Sequence, residues 1–231
     1  MAGTTVASIS GTPPVMRSVA VAGASGLVGR CLVKRLCADP TVATVHALVR
    51  RPLDLRHSKM KMHVVDFSAL ASLPSIDEVY LALGTTIKIA GSRPAFRAVD
   101  FDTNLVVAHA ALAAGAHRAG LVSALGADAH SRVFYNRVKG ELEDALTALP
   151  FAALVIARPS ILRGDRHALG QPRRRGEVFW ERIDARLRPI IPRRFRAIAA
   201  ADVAAALANS VPIAHGREVL DSSVMQGADS T

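Results

Sequence analysis

Short apolar runs alternate along this chain with stretches whose apolar positions recur every three or four residues, and the alternation persists almost to the end. The runs predict strands over 18–22, 43–49, 62–66, 78–83, 118–123, 152–157 and 217–221. Several are apolar at nearly every position, the pattern of parallel strands buried on both faces. The stretches between them predict helices near 26–38, 94–114, 131–148 and 200–209. In the first helix Leu27, Val28, Cys31, Leu32 and Leu36 form one face, with Ser25 placed to cap it. Pro94 suits the first turn of the second. Strand and helix in alternation imply right-handed crossovers and an α/β fold built on a doubly wound parallel sheet. From Pro159 onward the rhythm breaks into Pro- and Arg-rich sequence with one helical stretch near 176–188. That part is read as a small cap over the carboxyl edge of the sheet. The expected organisation is a disordered lead-in at 1–16, a nucleotide-binding domain at 17–159, and a cap at 160–231 within the same compact unit.

Composition changes little in this picture. The 231 residues are 50% hydrophobic, enough for one sizeable core. No apolar run approaches the roughly 20 residues that span a bilayer. The first residues do not read as a secretory signal. Cys31 and Cys37 point in different directions on one helix and make no metal pair, so a reducing, cytoplasmic setting is expected. The net charge of +10 is concentrated: eleven arginines and four acids fall between Arg163 and Arg196.

Candidate chemistry begins after the first strand, with Gly23, Gly26 and Gly29 in a G-x-x-G-x-x-G spacing. Strand before and helix after are the context in which such a loop turns tightly against a pyrophosphate and offers it a helix N-terminus. The second strand ends in Arg50 and Arg51, where an NAD-specific sheet carries an acid. Arginine there suits a 2′-phosphate, so NADP is expected over NAD. Asp66 closes the third strand, where a side chain can face the adenine. Gly84 follows the fourth, where lack of bulk lets the chain pass close to a dinucleotide.

Ser123 ends the fifth strand, and Tyr135 and Lys139 follow as i and i+4 on one helix face. A lysine ammonium beside a phenol favours the phenolate, which can exchange a proton with a carbonyl or alcohol oxygen while hydride moves to or from a cofactor. Ser123 is placed to hydrogen-bond the same oxygen. The same residues also describe an ordinary strand followed by an amphipathic helix, and spacing by itself does not separate the two. Gly140, costly in a helix interior, suggests a close helix–helix contact.

Together the glycine loop and the Ser–Tyr–Lys order resemble a short-chain dehydrogenase/reductase (SDR) of the atypical group, over roughly residues 17–225. The stretches LGTTIKIAGSRPAFRAVDFD, LVSALGADAHSRVFYNRVKGELE and ARPSILRGDR are similar to the Tat-interacting oxidoreductase branch of that group. The resemblance implies an NAD(P)-binding Rossmann fold. It implies that Gly23, Ser25, Gly26, Leu27, Val28 and Gly29 bind the pyrophosphate, and that Arg50 and Arg51 sit at the 2′-phosphate. It places Asp66 by the adenine and Leu83, Gly84 and Thr85 at the ribose region. Lys139 would hold the nicotinamide ribose, and Pro159 and Ser160 would lie beside the carboxamide. Asn104 is either part of a proton relay, as in related enzymes, or a residue of a helix bend. Where many members carry Ser or Thr after the serine, this chain has Ala124.

Two functions follow. One is an NADP-dependent oxidoreductase acting on a small carbonyl or alcohol through Ser123, Tyr135 and Lys139. The other is an NADPH-binding regulator or assembly factor without turnover. The Arg-rich segment, with Phe179 and Trp180 among its charges, suits a solvated helix, an acidic-substrate lid or a peripheral contact with anionic membrane. No nucleic-acid motif is present. A monomer or homodimer is expected.

Overall fold

The computed structural model describes residues 16–70, 72–163 and 192–230. The lead-in at 1–15, the stretch read as a helix at 176–188 and most of the Arg-rich segment lie outside the described residues.

Seven strands form one all-parallel sheet: β1 (Arg17–Ala22), β2 (Val42–Val49), β3 (Met60–Val64), β4 (Glu78–Leu81), β5 (Arg118–Val122), β6 (Ala153–Arg158) and β9 (Gly216–Asp221). Their spatial order is β3-β2-β1-β4-β5-β6-β9. Two short strands, β7 (Leu162–Arg163) and β8 (Ile198–Ala199), pair separately beyond the carboxyl edge. The strand order reverses direction between β1 and β4, the topological switch point where ligands of open α/β sheets bind.

Both sheet faces are covered, which is why the strands read as unbroken apolar runs. On one face Val19, Val21, Val45 and Val155 meet Leu32 and Leu36 of α1 (Leu27–Ala38) and Val203 and Leu207 of α6 (Ala200–Ser210). On the other, Ala20, Leu81, Leu121 and Ile156 meet Val107 and Ala111 of α4 (Thr103–Ala113) and Leu142 and Leu146 of α5 (Phe134–Thr147). Short helices α2 (Ile87–Ala90), α3 (Arg93–Arg97) and α7 (Ser222–Met225) complete the described helices. Thr86 and Ser92 cap α2 and α3, and Pro94 stands in the first turn of α3.

The helix expected over 94–114 is not uniform. Between α3 and α4 the chain widens into a π-turn over Ala98–Asp102. Such a turn frees backbone carbonyls, and nearby side chains bind them. Thr103 Oγ1 donates to Ala98 O at 2.7 Å, and Asn104 Nδ2 donates to Val99 O and Asp100 O at 3.4 and 3.1 Å.

Residues 160–231 are not all cap. Residues 200–210 pack as α6 on the sheet and 216–221 supply its seventh strand. The described cap is confined to the β7–β8 pair and a single 3₁₀ turn at Arg193–Phe195. Among the described residues, no helix is long and apolar enough to cross a membrane.

Candidate functional site

The glycine loop connects β1 to α1 at the switch point. Gly23 has φ +83°, and a Cβ there would stand 2.5 Å from Ala82 O, so this loop and the loop after β4 lie against each other. A Cβ on Gly29 would meet Gly23 O at 2.1 Å. Gly26 N donates to Gly23 O at 2.9 Å and closes the turn. The residue flanking α1 is Gly26, not Ser25, and no side chain caps the helix, contrary to the expectation for Ser25. Ser25 is exposed, and the first-turn amides at Leu27, Val28 and Gly29, which have no intrahelical partner, face no competing side-chain oxygen. These features fit an anionic diphosphate: the loop tolerates no bulk and the helix presents donors with a positive dipole end.

Around this turn lie the other expected nucleotide contacts. Arg50 and Arg51 follow β2 directly and are both exposed. Asp66, also exposed, accepts from the Ser68 amide and hydroxyl at 2.9 and 2.6 Å, which holds its carboxyl below the usual range and starts a 3₁₀ turn at Phe67. Leu83 and Thr85 are half-buried and Gly84 is exposed, where the chain leaves β4. Leu83 O accepts from Asn104 Nδ2 at 3.3 Å, and Thr85 N donates to Asp100 Oδ2 at 2.8 Å, so the π-turn grips this loop from below.

Lys139 is 4% exposed and Asp100 0%, and Nζ lies 2.8 Å from Asp100 Oδ1. Burial works against the lysine charge, but Asp100 first, then Tyr135 and Glu143, hold its pKa above the ordinary lysine value. Spacing offers Lys139 only Tyr135 as a neighbour, and Asp100 is not among the residues the sequence singles out. A carboxylate in the last turn before a helix carries no signal of its own, and only the π-turn brings it under α5.

Tyr135 is half-buried, with its ring 5.4 Å from that of the fully buried Phe96. Among the described residues its hydroxyl has no hydrogen-bond partner. Ser123 differs. Its Oγ donates to Glu143 Oε1 at 2.5 Å, and Glu143, 1% exposed, also accepts from Arg158 Nε and Nη2 at 3.0 and 2.5 Å. The one hydroxyl proton of Ser123 is therefore directed at a carboxylate, and what it offers the cleft is lone pairs. Glu143 and Arg158 also border a recess of about 420 Å³ with Asp128, His130 and Asp144.

Pro159 and Ser160 lie at the end of β6. Pro159 O accepts from Leu125 N at 2.8 Å. Ser160 Oγ donates to Arg196 O and accepts from Ser222 Oγ at 3.0 Å, so it ties the cap to α7. Gly140 has a different reason from the one expected. A Cβ there would meet Ala129 N at 2.1 Å and the Asp128 carbonyl carbon at 2.2 Å, so the glycine admits the loop after β5, not a neighbouring helix.

Known proteins agree with this architecture. A family model described as NAD(P)H-binding matches residues 23–162. The chain is 37% identical over 164 residues to "Protein FMP52, mitochondrial" of Candida albicans, covering 66% of this chain and 72% of that one. In fold it is similar to an oxidoreductase of the short-chain dehydrogenase/reductase family from Burkholderia thailandensis, with TM-score 0.65, 19% identity, and 93% and 94% of the two chains covered. It is equally similar to MoeE5 in complex with UDP-glucose and NAD, with TM-score 0.65, 20% identity, and 88% and 75% covered. One expectation is corrected. Relatives from several fungi are named mitochondrial, which overturns the cytoplasmic setting. The two reduced thiols argued only against an oxidising compartment and do not single out the cytoplasm.

Proposed function

Because this chain belongs to the NAD(P)H-binding family and shares the fold of a short-chain dehydrogenase/reductase, we propose that it is an NADP-dependent oxidoreductase acting on a small carbonyl or alcohol. The observation that supports the reading most is Tyr135, half-buried with a hydroxyl that has no partner among the described residues, one helical turn before a buried lysine. Bound nicotinamide supplies the acceptor or donor of hydride. Tyr135 gives or takes the proton at the substrate oxygen. Lys139 holds a fixed positive charge beside the loop at Gly84, where a Cβ would stand 3.8 Å from Nζ. Ser123, whose own proton goes to Glu143, lines the site with lone pairs and donates no hydrogen bond to a carbonyl oxygen. Leu27, Val28 and Gly29 receive the diphosphate at their amides. Arg50 and Arg51, exposed beyond β2, support the 2′-phosphate and hence NADP over NAD. Asn104 stabilises the π-turn under the cofactor loop.

The test is kinetic. A panel of small carbonyl compounds with NADPH is expected to yield turnover that Tyr135→Phe lowers about 100-fold or more, within the usual range for a lost acid–base group. Turnover unchanged in that variant removes Tyr135 from the role. A second reading, nucleotide binding without turnover, draws on one observation: the hydrogen-bonding capacity of Ser123 and the charge of Lys139 are both already engaged by buried carboxylates. Tight NADPH binding with no turnover anywhere on the panel selects it.

A further inference from the structure

Asp100 is fully buried, yet it sits at the base of the loop after β4, whose Gly84 is exposed. Its Oδ1 lies 2.8 Å from Lys139 Nζ, and its Oδ2 accepts from the Thr85 amide at 2.8 Å. A Cβ built on Gly84 would stand 3.4 Å from Oδ1 and 3.8 Å from Nζ. The ion pair is thus directly beneath the backbone over which a dinucleotide would pass. The π-turn is what makes this reach possible, since it shifts Asp100 relative to α4, and Asn104 fixes the shifted turn to Leu83 O.

We propose that Asp100 is a positioning residue: it is the counter-ion that keeps Lys139 charged, and it fastens that charge to the cofactor loop through Thr85. Its bearing on chemistry rests on the oxidoreductase reading above, but the pairing itself does not. Two oxygens of one carboxylate perform two separate tasks, one electrostatic and one geometric. Among the described residues the other titratable groups facing Lys139 are Tyr135 and Glu143, both on α5, while the 83–86 loop presents none. Glu143 is already bound by Arg158, so Asp100 supplies the main compensating charge. Without it, burial favours the neutral amine, and Lys139 loses its proton at a lower pH than in the paired state.

The experiment uses the five lysines of the chain, few enough for a resolved 13C-lysine NMR spectrum. Lys139 is assigned from the signal lost in Lys139→Arg. In nucleotide-free protein the wild-type Lys139 signal is expected to keep its ammonium shift through the ordinary lysine range. In Asp100→Asn, which preserves an acceptor for Thr85 N but removes the charge, it is expected to titrate at least about two pH units lower. A Lys139 that titrates alike in both proteins overturns the proposal. Should Asp100→Asn fail to fold, the double variant Asp100→Asn/Lys139→Met decides. Its recovery of a folded protein supports an uncompensated buried charge as the cause, and equal failure of both restricts Asp100 to the Thr85 loop and overturns the counter-ion role.

A second arm reads NADPH affinity against pH. It is expected to weaken at least tenfold between pH 7 and pH 9 in Asp100→Asn, to change less than twofold in wild type, and to be flat again in Asp100→Asn/Lys139→Arg, because arginine does not deprotonate. A loss independent of pH marks a merely structural residue. Wild-type protein that binds no NADPH at all refutes the functional reading above and leaves the NMR result to judge Asp100.

Discussion

Ser123 and Glu143 are joined by a 2.5 Å hydrogen bond in which the serine is the donor, and Arg158 grips the same carboxylate through two nitrogens. Two consequences are measurable. Ser123→Ala is expected to lower turnover by less than about tenfold, because the lost group contributes no donor to the substrate oxygen, whereas a working oxyanion donor costs roughly 100-fold or more. A loss as large as that of Tyr135→Phe contradicts the orientation seen here.

Glu143→Ala is expected to destabilise the protein by on the order of 3 kcal/mol, because it strands the Arg158 guanidinium and the Ser123 hydroxyl at once. Glu143→Gln, which retains an acceptor, is expected to cost less. Urea denaturation at pH 7 gives the comparison, and equal losses in the two variants rule out the carboxylate as the organising group.

His46 Nδ1 and His63 Nε2 lie 2.8 Å apart across β2 and β3, and one ring must donate while the other accepts. Burial, then His63, pushes His46 down to about 4. A base whose folded pKa is depressed binds fewer protons when native. Its contribution is therefore complete above pH 6.5 and is lost as pH falls from 6.5 toward 4, by up to about 3 kcal/mol. His46→Gln is expected to flatten this part of the stability profile. If wild type and variant lose the same stability between pH 7 and pH 5, the histidine pair is not the sensor.

Gly140→Ala separates helix propensity from packing. In an exposed helix the change gains about 1 kcal/mol. Here the new methyl meets backbone atoms of Asp128 and Ala129, and a loss of roughly 2–4 kcal/mol is expected from overpacking. A melting temperature equal to wild type or higher shows that the loop after β5 moves aside freely.

For nucleotide choice, Arg50→Ala together with Arg51→Ala is expected to weaken NADPH binding about 10- to 100-fold and to leave NADH unchanged. Parallel fluorescence titrations decide it, and equal losses for both nucleotides remove the arginines from the 2′-phosphate.

Hydrophobic periodicity carried the sheet. All seven strands and the four long described helices stand where the pattern put them, because burial on two faces leaves a continuous apolar trace that needs no partner information. The glycine loop was legible for a local reason too: Gly29 is required by the Gly23 carbonyl six residues earlier and Gly23 by its own positive φ, although the Ala82 carbonyl that also bars a side chain at Gly23 is distant in sequence. What stayed hidden depends on distant partners. Nothing local marks Asp100 as the mate of Lys139, 39 positions on, or Glu143 as the mate of Ser123. The π-turn was invisible because the apolar spacing of 94–114 is satisfied by a continuous helix. The reason for Gly140 was misread because a glycine announces a close approach without saying what approaches.

The sheet also sets a schedule. β6 is flanked on its outer side by β9, which arrives roughly 60 residues later in the chain. At ordinary synthesis rates that interval is about 3–12 s, during which the nascent protein carries an unpaired apolar strand edge. The last strand is thus a lock on the order of assembly: a chain that stops before Gly216 keeps that edge open for good, as a template for another chain to pair with.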